Sequence, residues 1–492
     1  MAMRYPIWID CEVVLEGCSG LVQIRGGKVD CLDIIKYVLK IILKLLYMSY
    51  WGLSVYPRFF KVIWFFNFDI LQFGFKTAFM RTMIFLIVYF LSGCLAMGQP
   101  VHTLRNGVWR GDIQRKDGNH IIFNFEVRDS AGRKILYIRN AGERLLVEEI
   151  RVVGDSVLIQ LPFFESQFRT VLTPGGNLQG VWLKRGVDNY QSVAFTAQYN
   201  VPYRFAAARR PAQDLSGRWK ASFRSQGSSE VSERVGEFSQ SGGRITGTFL
   251  DPTGDFRWLE GVVDGDSLKL SCFDGGHAYL FTARLDAATG RLTGGQYFAG
   301  ATGLETWTAV KDAGASLPSA FSLTKWNKNA GPLRFTYRDL EGKKVSLSDA
   351  RFRGKVVLIQ IMGSWCPNCM DETNFLSGFY DQYRSKGVEI IGLAYERSTD
   401  FTRSQNSLRS FQQRFHVKYP ILITGVAVGD PKRAEKTLPQ LEAIVGFPTT
   451  IFVDRTGRIG KIHTGFSGPG TGDHYEAQKK EFYATVDGML KK

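Results

Sequence analysis

The chain has 492 residues, too many for one hydrophobic core, so several domains are expected. Its 44% hydrophobic and 22% charged residues exclude a disordered chain, a collagen-like repeat and a many-span membrane protein. Lys and Arg number 62 against 46 Asp and Glu, a net charge of +16. That excess is scattered in pairs such as Arg209-Arg210 and Lys479-Lys480 rather than gathered in a run, which argues against nucleic acid as a partner.

Residues 1–79 form an apolar leader in which Lys36, Lys40 and Lys44 recur every four residues, an amphipathic pattern. The aromatic tract that follows is broken by Lys61 and Asp69 before it is long enough to span a bilayer. At Met80 the character changes: Arg81 and Thr82 precede MIFLIVYFL, the length of a signal-peptide apolar region, so residues 80–98 read as a signal peptide. Two cleavage patterns overlap there. Leu91-Ser92-Gly93-Cys94 resembles a lipobox, which would put a lipid on Cys94, while Ala96-Met97-Gly98 has small residues where signal peptidase I needs them. We expect translation to start at Met80, making 1–79 a misassigned start. The rival is an amphipathic membrane-surface anchor. Either reading sends the remainder to the periplasm or cell envelope of a bacterium, held to the membrane, if at all, by the lipid or the leader.

Residues 100–312 carry an internal repeat. Gly107-Val108-Trp109 recurs as Gly217-Arg218-Trp219, and Gly154-Asp155-Ser156 as Gly265-Asp266-Ser267. Leu178-Gln179-Gly180 then matches Leu292-Thr293-Gly294, and Phe195-Thr196-Ala197 matches Trp307-Thr308-Ala309. Four matches in one order at nearly constant offset predict a duplicated domain. Alternating stretches such as IIFNFEV and RITGTF, separated by Gly, Asp and Asn turns, predict antiparallel strands, so copies at 100–205 and 211–312 are each expected to be a small β-barrel or sandwich. His120, His277 and Cys272 lack metal-ligand partners at short spacing and read as structural. Residues 313–331, with Gly314, Pro318 and Gly331, read as a linker.

Of the seven cysteines, only Cys366 and Cys369 are spaced for chemistry. The apolar run VVLIQIM leads into Trp365-Cys366-Pro367-Asn368-Cys369, followed by Phe375, Leu376, Phe379 and Tyr383 at helical spacing and then the apolar run VEIIGLA. This is a βαβ unit with the cysteines opening its helix. With Cys366 as N-cap, Pro367 falls at the first helical position, where its missing N–H costs nothing. The free N–H groups of Asn368 and Cys369 would then face the Cys366 sulfur and, with the helix dipole, favour thiolate, the nucleophile of disulfide exchange. A zinc site would need a second cysteine pair or closely spaced histidines, and the sequence has neither.

From about residue 332 to 492 the sequence resembles the TlpA/ResA-like branch of the thioredoxin superfamily. Besides the cysteine motif, the match includes LEGKKVSLSD at 340–349 and Gly446-Phe447-Pro448-Thr449-Thr450, similar to the family's cis-proline loop. The resemblance implies an α/β thioredoxin-like domain with a redox disulfide between Cys366 and Cys369. It implies substrate contacts at Trp365, Phe447 and Pro448, where the backbone before the proline pairs with an extended substrate. Glu372, where the family carries a glutamate, is the implied proton acceptor for Cys369; the alternative is a solvated helix glutamate. Thioredoxin itself has a buried acid where this chain has Gln360.

The implied protein is an exported thiol-disulfide oxidoreductase whose partners are protein disulfides and an electron donor that the sequence does not identify, with no metal or organic cofactor. The rival reading is a ligand-binding or interaction protein whose β-domains carry the main function. As to direction, Asn368 supplies no positive charge to hold a thiolate and Glu372 adds a negative one, so a reductant is expected. Its potential should lie nearer thioredoxin's, about −270 mV, than that of the oxidant DsbA, about −120 mV.

Overall fold

The computed structural model describes residues 103–162, 165–186 and 189–492; the leader, the signal-like segment and Cys94 lie outside them. No helix among the described residues is long and apolar enough to cross a membrane.

The first sheet is an antiparallel meander of β1 (Gly107–Gln114), β2 (His120–Ser130), β3 (Arg133–Asn140), β4 (Glu143–Val147), β5 (Glu149–Val153), β6 (Ser156–Gln160), β7 (Ser166–Leu172), β8 (Leu178–Arg185) and β9 (Tyr190–Tyr199). Its first strand pairs with its last, which gives the order β4-β3-β2-β1-β9-β8-β7-β6-β5. Alternation turns Trp109 and Ile113 of β1 inward, onto a core with Phe123, Phe168 and Phe195. The charged strand β5 buries almost nothing and ends the sheet as an edge, so this sheet stays open.

The second sheet comprises β10 (Gly217–Ser225), β11 (Ser232–Ser241), β12 (Arg244–Asp251), β13 (Gly254–Asp255), β14 (Leu259–Asp264), β15 (Ser267–Phe273), β16 (Ala278–Asp286), β17 (Arg291–Ala299) and β18 (Gly303–Lys311). Here β10 pairs with β18, and an additional pairing of β11 with β12 closes the sheet into a barrel, leaving the two-residue β13 outside the ring. The repeated motifs fall at matching places: in β1 and β10, at the turns into β6 and β15, in β8 and β17, and in β9 and β18. Both Gly-x-Trp tryptophans donate their indole N–H to a carbonyl four residues upstream, Trp109 to Arg105 and Trp219 to Leu215.

The two sheets are fused. Phe273 of the second enters the aromatic core of the first, 4.3 Å from the Phe123 ring centroid. The buried Arg204 guanidinium donates to the carbonyls of Ser271 and Arg139 and lies 3.6 Å from Glu260. The stretch after β18 is laid down on its neighbours: the Asn327 N–H donates to the Gln440 carbonyl, and the Thr464 N–H to that of Ala320. Composition reads this stretch as a linker, but its backbone groups find partners on the third domain.

That third domain is built on β19 (Thr336–Asp339), β20 (Lys344–Ser346), β21 (Val356–Met362), β22 (Val388–Ala394), β23 (Ile421–Ile423), β24 (Thr449–Val453) and β25 (Ile459–Thr464), in the order β20-β19-β23-β22-β21-β24-β25. The central strands β21 and β22 are parallel and buried at every residue, as their continuous apolar runs require. Helices α1 (Pro367–Tyr383), α2 (Phe401–Arg414), α3 (Arg433–Thr437) and α4 (Asp473–Leu490) complete the α/β domain. Helix α1 follows β21 directly, and β24 runs antiparallel to β21, so the segment entering β24 returns to the sheet end where α1 begins.

Candidate active site

Cys366 is the N-cap of α1 and Pro367 its first residue. The Cys369 N–H donates to Cys366 Sγ at 3.2 Å, one of the two bonds expected from the sequence. The cysteines form a disulfide with their Cα atoms 5.2 Å apart. Both are buried, Cys366 at 3% and Cys369 at 0% exposure. The helix is held in place by Phe375 and Phe379, whose rings pack against Phe466, Phe482 and Tyr483. Truncating either to alanine is a change of about 3–5 kcal/mol in a packed core.

The remaining residues expected at the site gather round these sulfurs. Phe447 and Pro448 are joined by a cis peptide bond. The Phe447 carbonyl oxygen lies 3.6 Å from Cys366 Sγ. Behind it, the Pro448 carbonyl accepts from the Gly465 N–H at 2.7 Å and the Gly446 carbonyl from Thr449 Oγ1 at 2.9 Å. Trp365 donates its indole N–H to the Tyr395 carbonyl and sets its ring 5.4 Å from that of Phe447.

Glu372 is fully buried, which overturns the solvated alternative. Its carboxylate accepts from Gln360 Nε2 and Thr450 Oγ1, each at 2.8 Å. Burial pushes its pKa up to about 7, and these two bonds offset only part of that cost. Gln360, the neutral residue where thioredoxin has its buried acid, therefore reaches a carboxylate supplied by the helix instead.

Several residues at the site gave no signal in the sequence. Glu396 is buried and accepts from both the N–H and the hydroxyl of Ser364, just before Trp365. More unexpected is Arg257 from the second β-domain. It donates to Asp371 at 2.8 Å and to the Pro367 carbonyl at 3.3 Å in α1, and to Glu143 of the first sheet at 2.5 Å. Asn368, with its amide oriented to satisfy both groups, donates to the Asp255 carbonyl at 3.1 Å and accepts from the Asp255 N–H at 3.2 Å. Sequence patterns report neighbours along the chain, whereas the contacts of Arg257 and Asn368 join residues more than a hundred positions apart.

Comparison with known proteins places this geometry. The family described as Redoxin matches residues 313–479. Thiol-disulfide oxidoreductase ResA of Bacillus thuringiensis subsp. konkukian is 31% identical over 125 residues, which is 25% of this chain and 62% of that protein. The protein of the same name from Geobacillus thermodenitrificans is 30% identical over 131 residues, 27% of this chain and 66% of its own length. The chain thus spans less than two thirds of the first of these relatives. A solved thiol:disulfide interchange protein of the thioredoxin family from Chlorobium tepidum matches with 19% identity and a TM-score of 0.25, covering 33% of this chain and 98% of its own. The sequence match and the dithiol geometry agree: the C-terminal domain matches the Redoxin family and is similar in sequence to the ResA thiol-disulfide oxidoreductases.

Proposed function

We propose that this chain is an exported thiol-disulfide oxidoreductase that reduces protein disulfides in the bacterial cell envelope. The observation that carries the reading is the Cys366–Cys369 disulfide at the start of α1, with a backbone N–H on Cys366 Sγ and the Phe447 carbonyl facing it. In the reduced chain, the Cys366 thiolate attacks one sulfur of a substrate disulfide. A mixed disulfide forms and the other substrate sulfur leaves as thiolate. Cys369, once deprotonated, attacks Cys366 Sγ; the mixed disulfide breaks, the second substrate thiol leaves, and the Cys366–Cys369 disulfide holds the two electrons' worth of oxidation. A donor dithiol then restores the reduced chain. Trp365, Phe447 and Pro448 line the approach of the substrate, and Glu372 is the proton acceptor for Cys369.

In this reading the segments 100–205 and 211–312 are copies of one β-domain. Their shared Gly-x-Trp geometry and the matching strand positions of four motifs support the duplication. They present the thioredoxin-like domain, 332–492, rather than perform chemistry of their own. Reduction of insulin in the presence of dithiothreitol tests the activity: the full described chain should accelerate precipitation of the insulin B chain, and a rate equal to dithiothreitol alone counts against it.

Export is tested separately by intact mass. Protein taken from a native envelope is expected to begin at Cys94 or Gln99, and a diacylglyceryl-sized increment selects the lipid-anchored form. A mass that includes residues 1–79 overturns the start at Met80.

A further inference from the structure

Residues 251–257 of the second β-domain, which include β13, lie against residues next to the redox cysteines and next to Pro448. They meet the residues on either side of the buried Cys366. After it in sequence, Asn368 is paired by its amide to both backbone groups of Asp255, and the Pro367 carbonyl receives Arg257. On the other side, Thr253 packs on Gly446, two residues before Pro448, so closely that a Cβ at Gly446 would collide with it. Gly465, which holds the Pro448 carbonyl, likewise approaches the Thr253 backbone with no room for a side chain. The Asp255 carboxylate also accepts from the Gly468 N–H at 2.6 Å. The thioredoxin-like domain is thus shaped to seat this segment.

Thr253 packs on Gly446, in the stretch before Pro448 with which an extended substrate would pair. Cys366, the attacking sulfur in the function proposed above, is 3% exposed with the segment in position. The charged contact that holds the segment down is one guanidinium, Arg257, between Asp371 of α1 and Glu143 of β4. All three side chains are largely buried, so losing either partner leaves an uncompensated charge. The cluster holds more carboxyls than cations: Asp255 is also buried, and desolvation raises the pKa of Asp255 and Asp371 despite the nearby arginine.

We propose that residues 251–257 form a latched cover over the redox dithiol, and that a protein disulfide reaches Cys366 only when Arg257 leaves Asp371 and the segment lifts. This inference rests on Cys366 being the exchanging thiol. Its nearest functional consequence is selectivity in rate, since a partner that displaces the segment gains access at once whereas a disulfide arriving alone waits for the segment to lift and reacts slowly.

The test measures alkylation of Cys366 by iodoacetamide in the reduced full chain, read by peptide mass spectrometry. The pH is set high enough that the thiols are ionised, so the rate reports access rather than thiolate fraction. The chain unfolded in guanidinium chloride supplies the unprotected rate. Wild type should be protected by about tenfold or more, and Arg257→Gln and Asp371→Ala should each lose most of that protection. The double variant should lose little more than either alone, because both break one contact. Thermal unfolding of each variant confirms that it is folded, and Asp371→Ala serves if Arg257→Gln is not. Wild-type alkylation at the unfolded rate, or full protection retained in folded variants, overturns the cover. Insulin reduction by the folded Arg257→Gln chain, whose cover is released, reports the underlying activity separately. If that chain reduces insulin no faster than dithiothreitol alone while the protection pattern holds, the activity and not the cover is refuted.

Discussion

In the reduced chain, Cys369→Ser is expected to stop the reaction half way and to accumulate mixed disulfides on Cys366, whereas Cys366→Ser traps nothing and falls to background turnover. The asymmetry follows from position on one helix turn. Cys366 is the N-cap, where its sulfur accepts the Cys369 N–H and sits at the positive end of the α1 dipole. Cys369 is inside the first turn and has no exposed surface, so a substrate disulfide cannot reach it first. Its reach is restricted to the sulfur three residues back, which suits a resolving thiol. Oxidised insulin as probe, followed by non-reducing electrophoresis and peptide mass spectrometry, reads the result. Preferential alkylation of Cys369 at mildly acid pH would reverse the two roles. Adding Arg257→Gln to the Cys369→Ser chain should speed trapping, since it releases the cover without touching either sulfur.

Much of the redox centre was legible because its chemistry is local. Cys366, Pro367 and Cys369 fall within one helix turn, and the apolar runs that became β21 and β22 announce the βαβ unit around them. Phe447 lies 81 positions beyond Cys366, with Pro448 next to it, and both were found only through a resemblance that brought its own spatial knowledge. The first sheet and the barrel were both legible as antiparallel strands, since alternation and turn residues are local signals. Which of them closes was not. Closure depends on β11 meeting β12 and on β5 being left at an edge, and those pairings are set by packing across the sheet. Arg257 illustrates the limit. In the sequence it is an arginine in a turn-rich stretch; in the fold it joins α1, the barrel and β4 at one buried point.

Glu372→Gln is expected to stabilise the protein above neutral pH and to make the dithiol more oxidising there, with neither effect at pH 4 to 5. Glu372 faces Gln360 and Thr450, which donate to it, and the buried phenol of Tyr419; no cation pairs with it among the described residues. Its carboxyl ionises near 7 in the folded protein against an ordinary value of 4.5. Below 4.5 both folded and unfolded chains hold the proton and the group contributes nothing to the pH dependence. Between 4.5 and 7 the unfolded chain has lost the proton and the folded one keeps it, so stability falls as pH rises. Above 7 both are ionised and the full penalty of a buried charge remains, about 3 kcal/mol at one pKa unit per 1.36 kcal/mol. The amide removes that penalty while keeping the shape, and its N–H can turn to the Thr450 hydroxyl. Denaturant unfolding should therefore show a gain approaching about 3 kcal/mol at pH 8 and none at pH 4. The same negative charge, present only above about pH 7, opposes a second charge on a nearby thiolate and so favours the disulfide. Equilibration with glutathione buffers should place the variant about 30 mV more oxidising than wild type at pH 8, corresponding to about 1.4 kcal/mol, and level with it at pH 6. In the proposed mechanism, where Glu372 takes the proton from Cys369, turnover near neutral pH should slow as well. Equal potentials at pH 8 would remove Glu372 from the redox centre, and equal stabilities would show that its carboxyl ionises normally in the fold.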